Sequence, residues 1–187
     1  MLVRSCLLSI WKWVDPIYFS FTRLQYLCHD QKGKGVFRVR LTRYKGKNVV
    51  LSDGVTISKK DFLLKIHLHN IRLLLESPGN SNELSKGRGI FSQVYSMPLL
   101  AEFILNHPEE ARIKGIIGIT LINKGFGPLF ECIQPENKLY NWFKKTQQLP
   151  IYLLSCSKVS VSNIKSHHPV YLMMPKGKLM EKYKQPI

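Results

Sequence analysis

The chain has 187 residues, 44% apolar and 21% charged, which is enough to bury a sizeable core and reads as one soluble globular domain. Its 28 Lys and Arg against 12 Asp and Glu leave a formal charge of +16, an excess that favours nucleic acid, acidic lipid or polyanionic cell-wall polymer as partner. Near the start no uncharged run exceeds seven residues (Ser5 to Trp11, Pro16 to Thr22), which excludes a membrane span there.

"MLVRSCLLSIW" carries one Arg and a short apolar run, but Lys12 interrupts it and no small-residue cleavage site follows, so no secretory leader is read. Val3, Leu7, Ile10 and Val14 fall at helical spacing, and Asp15-Pro16 reads as the N-cap and first residue of a second helix. In that helix Ile17, Phe21, Leu24 and Cys28 repeat the apolar stripe. Residues 1–30 are thus expected to be a helical pair packed over the core. The alternative is an interfacial helix with aromatics at a lipid boundary and Arg4, Lys12 and Arg23 towards headgroups.

Residues 35–187 form the expected α+β body. Phe37, Val39 and Leu41 alternate with Arg38, Arg40 and Thr42, the pattern of a half-buried strand. "YKGKN" turns the chain, "VVLS" is expected to return antiparallel, and "SDGVTI" makes a further turn. Residues 63–69 are read as a strand, with Lys65, His67 and His69 opposite Ile66 and Leu68. "SPGNSNELSKGRG" is a polar loop, and a helix opens at Ser96-Met97-Pro98 and stops at His107-Pro108. "KGIIGITLI" and "PLFECI" flank "NKGFG" as a hairpin, and Leu139, Trp142, Phe143 and Thr146 mark a helix. "IYLLSC" and "VYLMM" read as short strands before a basic final helix, "KLMEKYK". The fold class is therefore a single α+β domain with a mixed, largely antiparallel sheet, packed by the N-terminal helices and two to three others.

Together, "FRVRLTRYKGKNVVLSDGVTI", "KIHLHNIRLLLE", "GIIGITLINKGFGPLFE" and "IYLLSC" resemble the YkoP-like family of Firmicutes, from "DPIYFSFTRLQYL" to the final helix. The resemblance implies a bacterial protein and carries no catalytic residues. A similar domain attached to polysaccharide deacetylase domains implies work at the cell envelope. The acidic metal-binding motif of those deacetylases is absent, since "LSDGVTI" holds only one Asp-Gly pair.

Between Lys32 and Arg72 stand eleven Lys or Arg and only two acids, Asp53 and Asp61. On a pleated strand Arg38 and Arg40 project from one face about 7 Å apart, and their forks suit carboxylates and phosphates. With Arg43, Lys45, Lys47 and Arg72 they are the candidate anion-binding residues, expected to stand outward and unneutralised. The bland counterpart is a solvated sheet face. His67, His69 and Asn70 are the candidate pocket residues, with the two imidazoles on one strand face but no third metal ligand at a recognisable spacing. The GxG turns in "SKGRGIF" and "NKGFGP" do not follow a strand and open a helix, so no cofactor is expected. The cysteines (Cys6, Cys28, Cys132, Cys156) have apolar neighbours and read as buried, reduced thiols.

The expected function is a non-enzymatic basic domain docking an anionic surface or polymer, with nucleic-acid binding and an enzyme built around His67 and His69 as alternatives. The expected location is cytoplasmic, with a peripheral position at the inner membrane face as an option.

Overall fold

The computed structural model describes residues 2–27, 37–68, 96–121, 127, 129–155 and 168–183. In chain order the elements are α1 (Leu2–Thr22), β1 (Gln25–Tyr26), β2 (Phe37–Arg43), β3 (Val49–Val50), β4 (Thr56–Ile57), β5 (Phe62–Leu68) and α2 (Met97–Leu105). They continue with β6 (Ile113–Thr120), β7 (Glu131–Ile133), α3 (Lys138–Ser155), β8 (Val170–Pro175) and α4 (Lys176–Tyr183). Six strands form one sheet in the order β1-β2-β5-β6-β8-β7, and β3 and β4 form a separate two-stranded ladder. Among the described strands, only β5 and β6 pair in parallel. The fold is α+β, with a mixed and largely antiparallel sheet.

Strand alternation explains the two faces. Phe37 and Val39 of β2, Leu64 and Ile66 of β5, Ile116 of β6 and Leu172 and Met174 of β8 point to one side. There they meet Met97, Leu100, Ala101 and Ile104 of α2 and Leu179 of α4, the main core. Pro98 sits in the first turn of α2, where its missing N–H costs nothing, and Pro108 follows soon after the helix ends. Gly115 of β6 is needed on packing grounds, because a Cβ there would lie 2.6 Å from the Met174 carbonyl oxygen.

On the opposite side Leu63, Ile117 and Met173 pack with Tyr44, Leu51 and Ile57, contributed by the β3–β4 hairpin and the segment leading to it. The Ser52 backbone N–H and hydroxyl donate to Glu131 of β7 at 2.7–3.0 Å and fasten that hairpin to the sheet edge. The rest of this side is covered by α1 and α3, which touch each other.

Several sequence expectations change. The N-terminal pair is one continuous helix with Pro16 inside it. Asp15 does not cap a second helix; its carboxylate turns to Arg38 on β2, and this tertiary ion pair holds the chain next to the proline. An interior proline costs about 3 kcal/mol, so a local rule is overridden by a contact 23 residues away in sequence. Of the expected apolar stripe, Ile10, Val14, Ile17 and Phe21 are exposed and not packed over the core, while Leu24 is buried; Cys28 and the side chains of Val3 and Leu7 lie outside what is described.

Strand β2 does not form a hairpin with "VVLS"; it pairs with β5, and Val49-Val50 pairs with Thr56-Ile57. The segments around "NKGFG" are not a hairpin, because β8 lies between β6 and β7. Residues 151–155 of "IYLLSC" continue α3 instead of forming a strand. Cys132 is exposed on the edge strand β7, not buried. No described helix is long and apolar enough to cross a membrane.

Candidate functional site

The face under α1 and α3 carries the basic row. Antiparallel register sets Arg38 opposite His67 and Arg40 opposite Lys65, and opposed residues share a face with Cα atoms about 5 Å apart. Four polar side chains are thereby gathered on neighbouring strands, and their fates differ.

Arg38 is not an outward cation. It is 5% exposed, and its Nη1 and Nη2 donate to the two Asp15 carboxylate oxygens at 2.9 and 2.7 Å. Nη2 also donates to the Tyr26 hydroxyl at 3.1 Å, and the guanidinium stacks over Phe19 and Tyr26. This is a buried, bidentate pair that welds α1 to the sheet. The expectation of a free guanidinium row fails at this residue, because an acid distant in sequence folds onto it.

Arg40 is half-buried. Its Nη1 donates to the Thr22 carbonyl at 3.2 Å, while its Nε is buried without a hydrogen-bond partner among the described residues. Lys65 beside it has no carboxylate partner among the described residues. Lys144, reaching in from α3, donates to Gln147 at 2.9 Å and lies over the rings of Tyr140 and Phe143. Burial, then the nearby charges of Arg40, Lys144 and Lys45, pull the Lys65 ammonium down from 10.5 to about 8. Burial and Arg40 lower Lys144 as well. Holding the Lys65 ammonium in that setting costs on the order of 3 kcal/mol at neutral pH.

These side chains line a cavity of about 830 Å³ between the sheet, the β2–β3 segment and the N-terminal half of α3. Among the described residues, seven Lys or Arg line it (Arg40, Arg43, Lys45, Lys47, Lys65, Lys138, Lys144) against one acid, Glu136, which pairs with Lys47. Tyr44, Tyr140 and Tyr171 supply an aromatic wall, with Tyr171 6.5 and 6.3 Å from the other two ring centroids. Burial and a hydrogen bond with Tyr140 push the Tyr171 hydroxyl upward, so it stays protonated. Asn137 Oδ1 accepts the Tyr140 backbone N–H at 3.0 Å and caps the start of α3 at the cavity edge.

Of the other anticipated residues that are described, Arg43, Lys45 and Lys47 join Arg40 at this cavity and the rest do not. Arg43 is exposed, with its guanidinium over the Phe62 ring, and Lys45 and Lys47 are exposed on the cavity rim. His67 is not among the lining residues. It lies edge-on to Tyr18, and burial followed by the charges of Lys65, Arg40, Lys144 and Arg38 drives its imidazole down to about 3, leaving it neutral at physiological pH. Arg72, His69 and Asn70 lie outside the described residues. Lys65 and Lys144 were missed by sequence reasoning. Lys65 did share the polar face of its strand with His67, the one available signal, while Lys144 carried none because its approach depends on how α3 crosses the sheet.

The domain model of the YkoP domain matches residues 4–183. The chain belongs to the YkoP family. It is also 48% identical over 185 residues to the uncharacterized protein YkoP of Bacillus subtilis (strain 168), covering 98% of this chain and 99% of that one. No solved structure matches. The YkoP match spans residues 4–183, and the cavity must be interpreted from its own chemistry.

Proposed function

We propose that this YkoP-family chain is a non-catalytic binding domain whose anionic ligand places a phosphate or carboxylate between Arg40, Lys65 and Lys144. The observation that carries this is two opposed cations on adjacent strands, half-buried, with no carboxylate beside them among the described residues. Like charges placed opposite each other in a sheet are destabilising, and an uncompensated buried charge costs several kcal/mol. A bound anion relieves both costs. The cavity volume is in the range of sites that enclose a small ligand or one segment of a polymer, and the tyrosines can cover its uncharged part.

Envelope polymers, acidic lipid headgroups and free phosphorylated metabolites share this chemistry, and competition separates them. Titration calorimetry with inorganic phosphate, a polyphosphate and a wall-derived anionic polymer is expected to give binding that Lys65→Met weakens at least about tenfold. Anion binding favours the ammonium form, so affinity falls as pH rises above about 8 and binding takes up protons there. Equal affinity of Lys65→Met and parent for every anion sinks the reading. Tight oligonucleotide binding indifferent to Lys65 would favour the nucleic-acid alternative instead.

A further inference from the structure

A second surface lies on the outer side of the same two helices and is independent of the cavity. On α1, Trp13 (82% exposed), Ile17 (71%) and Phe21 (89%) stand on the side away from Asp15, Phe19 and Thr22, which contact or approach the sheet and β1. On α3, Leu139 (81%), Trp142 (67%) and Phe143 (51%) fall at i, i+3 and i+4 and are likewise exposed. The two helices lie on the same side of the sheet and touch. A soluble surface seldom exposes four aromatic side chains and this much aliphatic side chain without covering them.

Charge decides what covers them. Among residues 2–22 and 138–155 the only acid is Asp15, and it is committed to Arg38. Lys12, Arg23 and Lys138 are exposed along the same helices. A second copy of this chain would bring two cationic faces together, whereas an acidic bilayer neutralises them. Neither helix is long and apolar enough to span a bilayer, so each would lie in its plane.

We propose that the outer faces of α1 and α3 dock on an anionic lipid bilayer, with Trp13, Phe21 and Trp142 entering the headgroup region and Arg23 and Lys138, at the ends of the two helices, against lipid phosphates. Docking in this way leaves the cavity on the inner side of α3 unobstructed by lipid chains.

Flotation with vesicles of phosphatidylcholine, alone or with about 30% phosphatidylglycerol, tests the surface. Binding to the acidic vesicles is expected, with a blue shift of tryptophan emission, and at least about tenfold less binding to neutral ones. Ile17→Ser with Phe21→Ser should lower binding to acidic vesicles about tenfold or more while the circular dichroism spectrum and cavity anion affinity stay unchanged. If that variant fails to fold, Leu139→Ser with Trp142→Ser makes the same test from α3. Lys65→Met keeps vesicle binding while losing cavity binding, so the two sites fail separately. Absence of binding to acidic vesicles, or equal binding by parent and folded variants, overturns the proposal. Concentration-dependent self-association abolished by Ile17→Ser and Phe21→Ser, without vesicle binding, assigns the face to a second copy and overturns it too.

Discussion

At one end of the basic row Arg38 meets a carboxylate from α1, two aromatic rings and a tyrosine hydroxyl, and it disappears from the surface. One residue pair along the same two strands, Arg40 and Lys65 face each other with no such partner among the described residues, and a cavity opens above them. The strand, the sheet face and the residue class are shared. What differs is the overlying helix: α1 brings Asp15 over the first end, whereas α3 brings another lysine over the second. A buried cation with its acid is architecture, whereas the half-buried cations facing one another are the observation on which the proposed anion site rests.

The largest expected effect tests the architectural end. Asp15→Ala strands the Arg38 guanidinium in a buried site and should lower stability by about 3–5 kcal/mol in urea unfolding, freeing α1 from the sheet. Asp15→Leu combined with Arg38→Leu should recover most of that loss; a double variant as unstable as the single one would show the pair is more than mutual neutralisation.

The next effect comes from pH at the junction of the two ends. His67 has its folded-state pKa depressed to about 3 against an ordinary 6.5, so the unfolded chain binds more protons between those values. Its contribution is complete above pH 6.5 and is lost as pH falls towards 3, on the order of 3 kcal/mol after allowance for relaxation. His67→Gln should flatten the acid limb of the stability profile across that window.

At the cavity end the sign of mutation reverses. Lys65→Met should raise stability by about 1–3 kcal/mol at neutral pH while abolishing anion binding, the behaviour of a residue kept for function. Its folded-state pKa of about 8 lies below the ordinary 10.5, so parent stability should rise between those pH values and the rise should be missing from the variant. A destabilised Lys65→Met protein would place Lys65 with Arg38 as structure and erase the contrast.

The smallest effect is a control. Arg23 follows α1 with φ of 51°, a left-handed conformation that glycine adopts without a Cβ penalty. Arg23→Gly should stabilise by about 0.5 kcal/mol and leave cavity binding unaltered.

The strand alternation at Phe37–Arg43, the helix opening at Met97-Pro98, the strand at Val170–Pro175 and the basic final helix were legible because period and punctuation are local properties. The pairing of β2 with β5, the insertion of β8 between β6 and β7, and the extension of α3 through residues 151–155 were not. Short apolar runs suit helix or strand equally, and a strand chooses its neighbour by the total packing of the sheet. Part of the candidate site was legible in the same sense. Arg40 and the concentration of positive charge were visible, whereas Lys65 and Lys144 became site residues only through register and helix crossing.

By itself the chain determined that it would be basic, that one face of β2 would be polar and the other apolar, and that its termini of regular structure would be helical. Tertiary structure alone decided which cation received a carboxylate and which were left to line a cavity. The reason is physical: charge and periodicity are carried by each residue, but neutralisation requires two residues to meet, and Asp15 can lie over only one arginine.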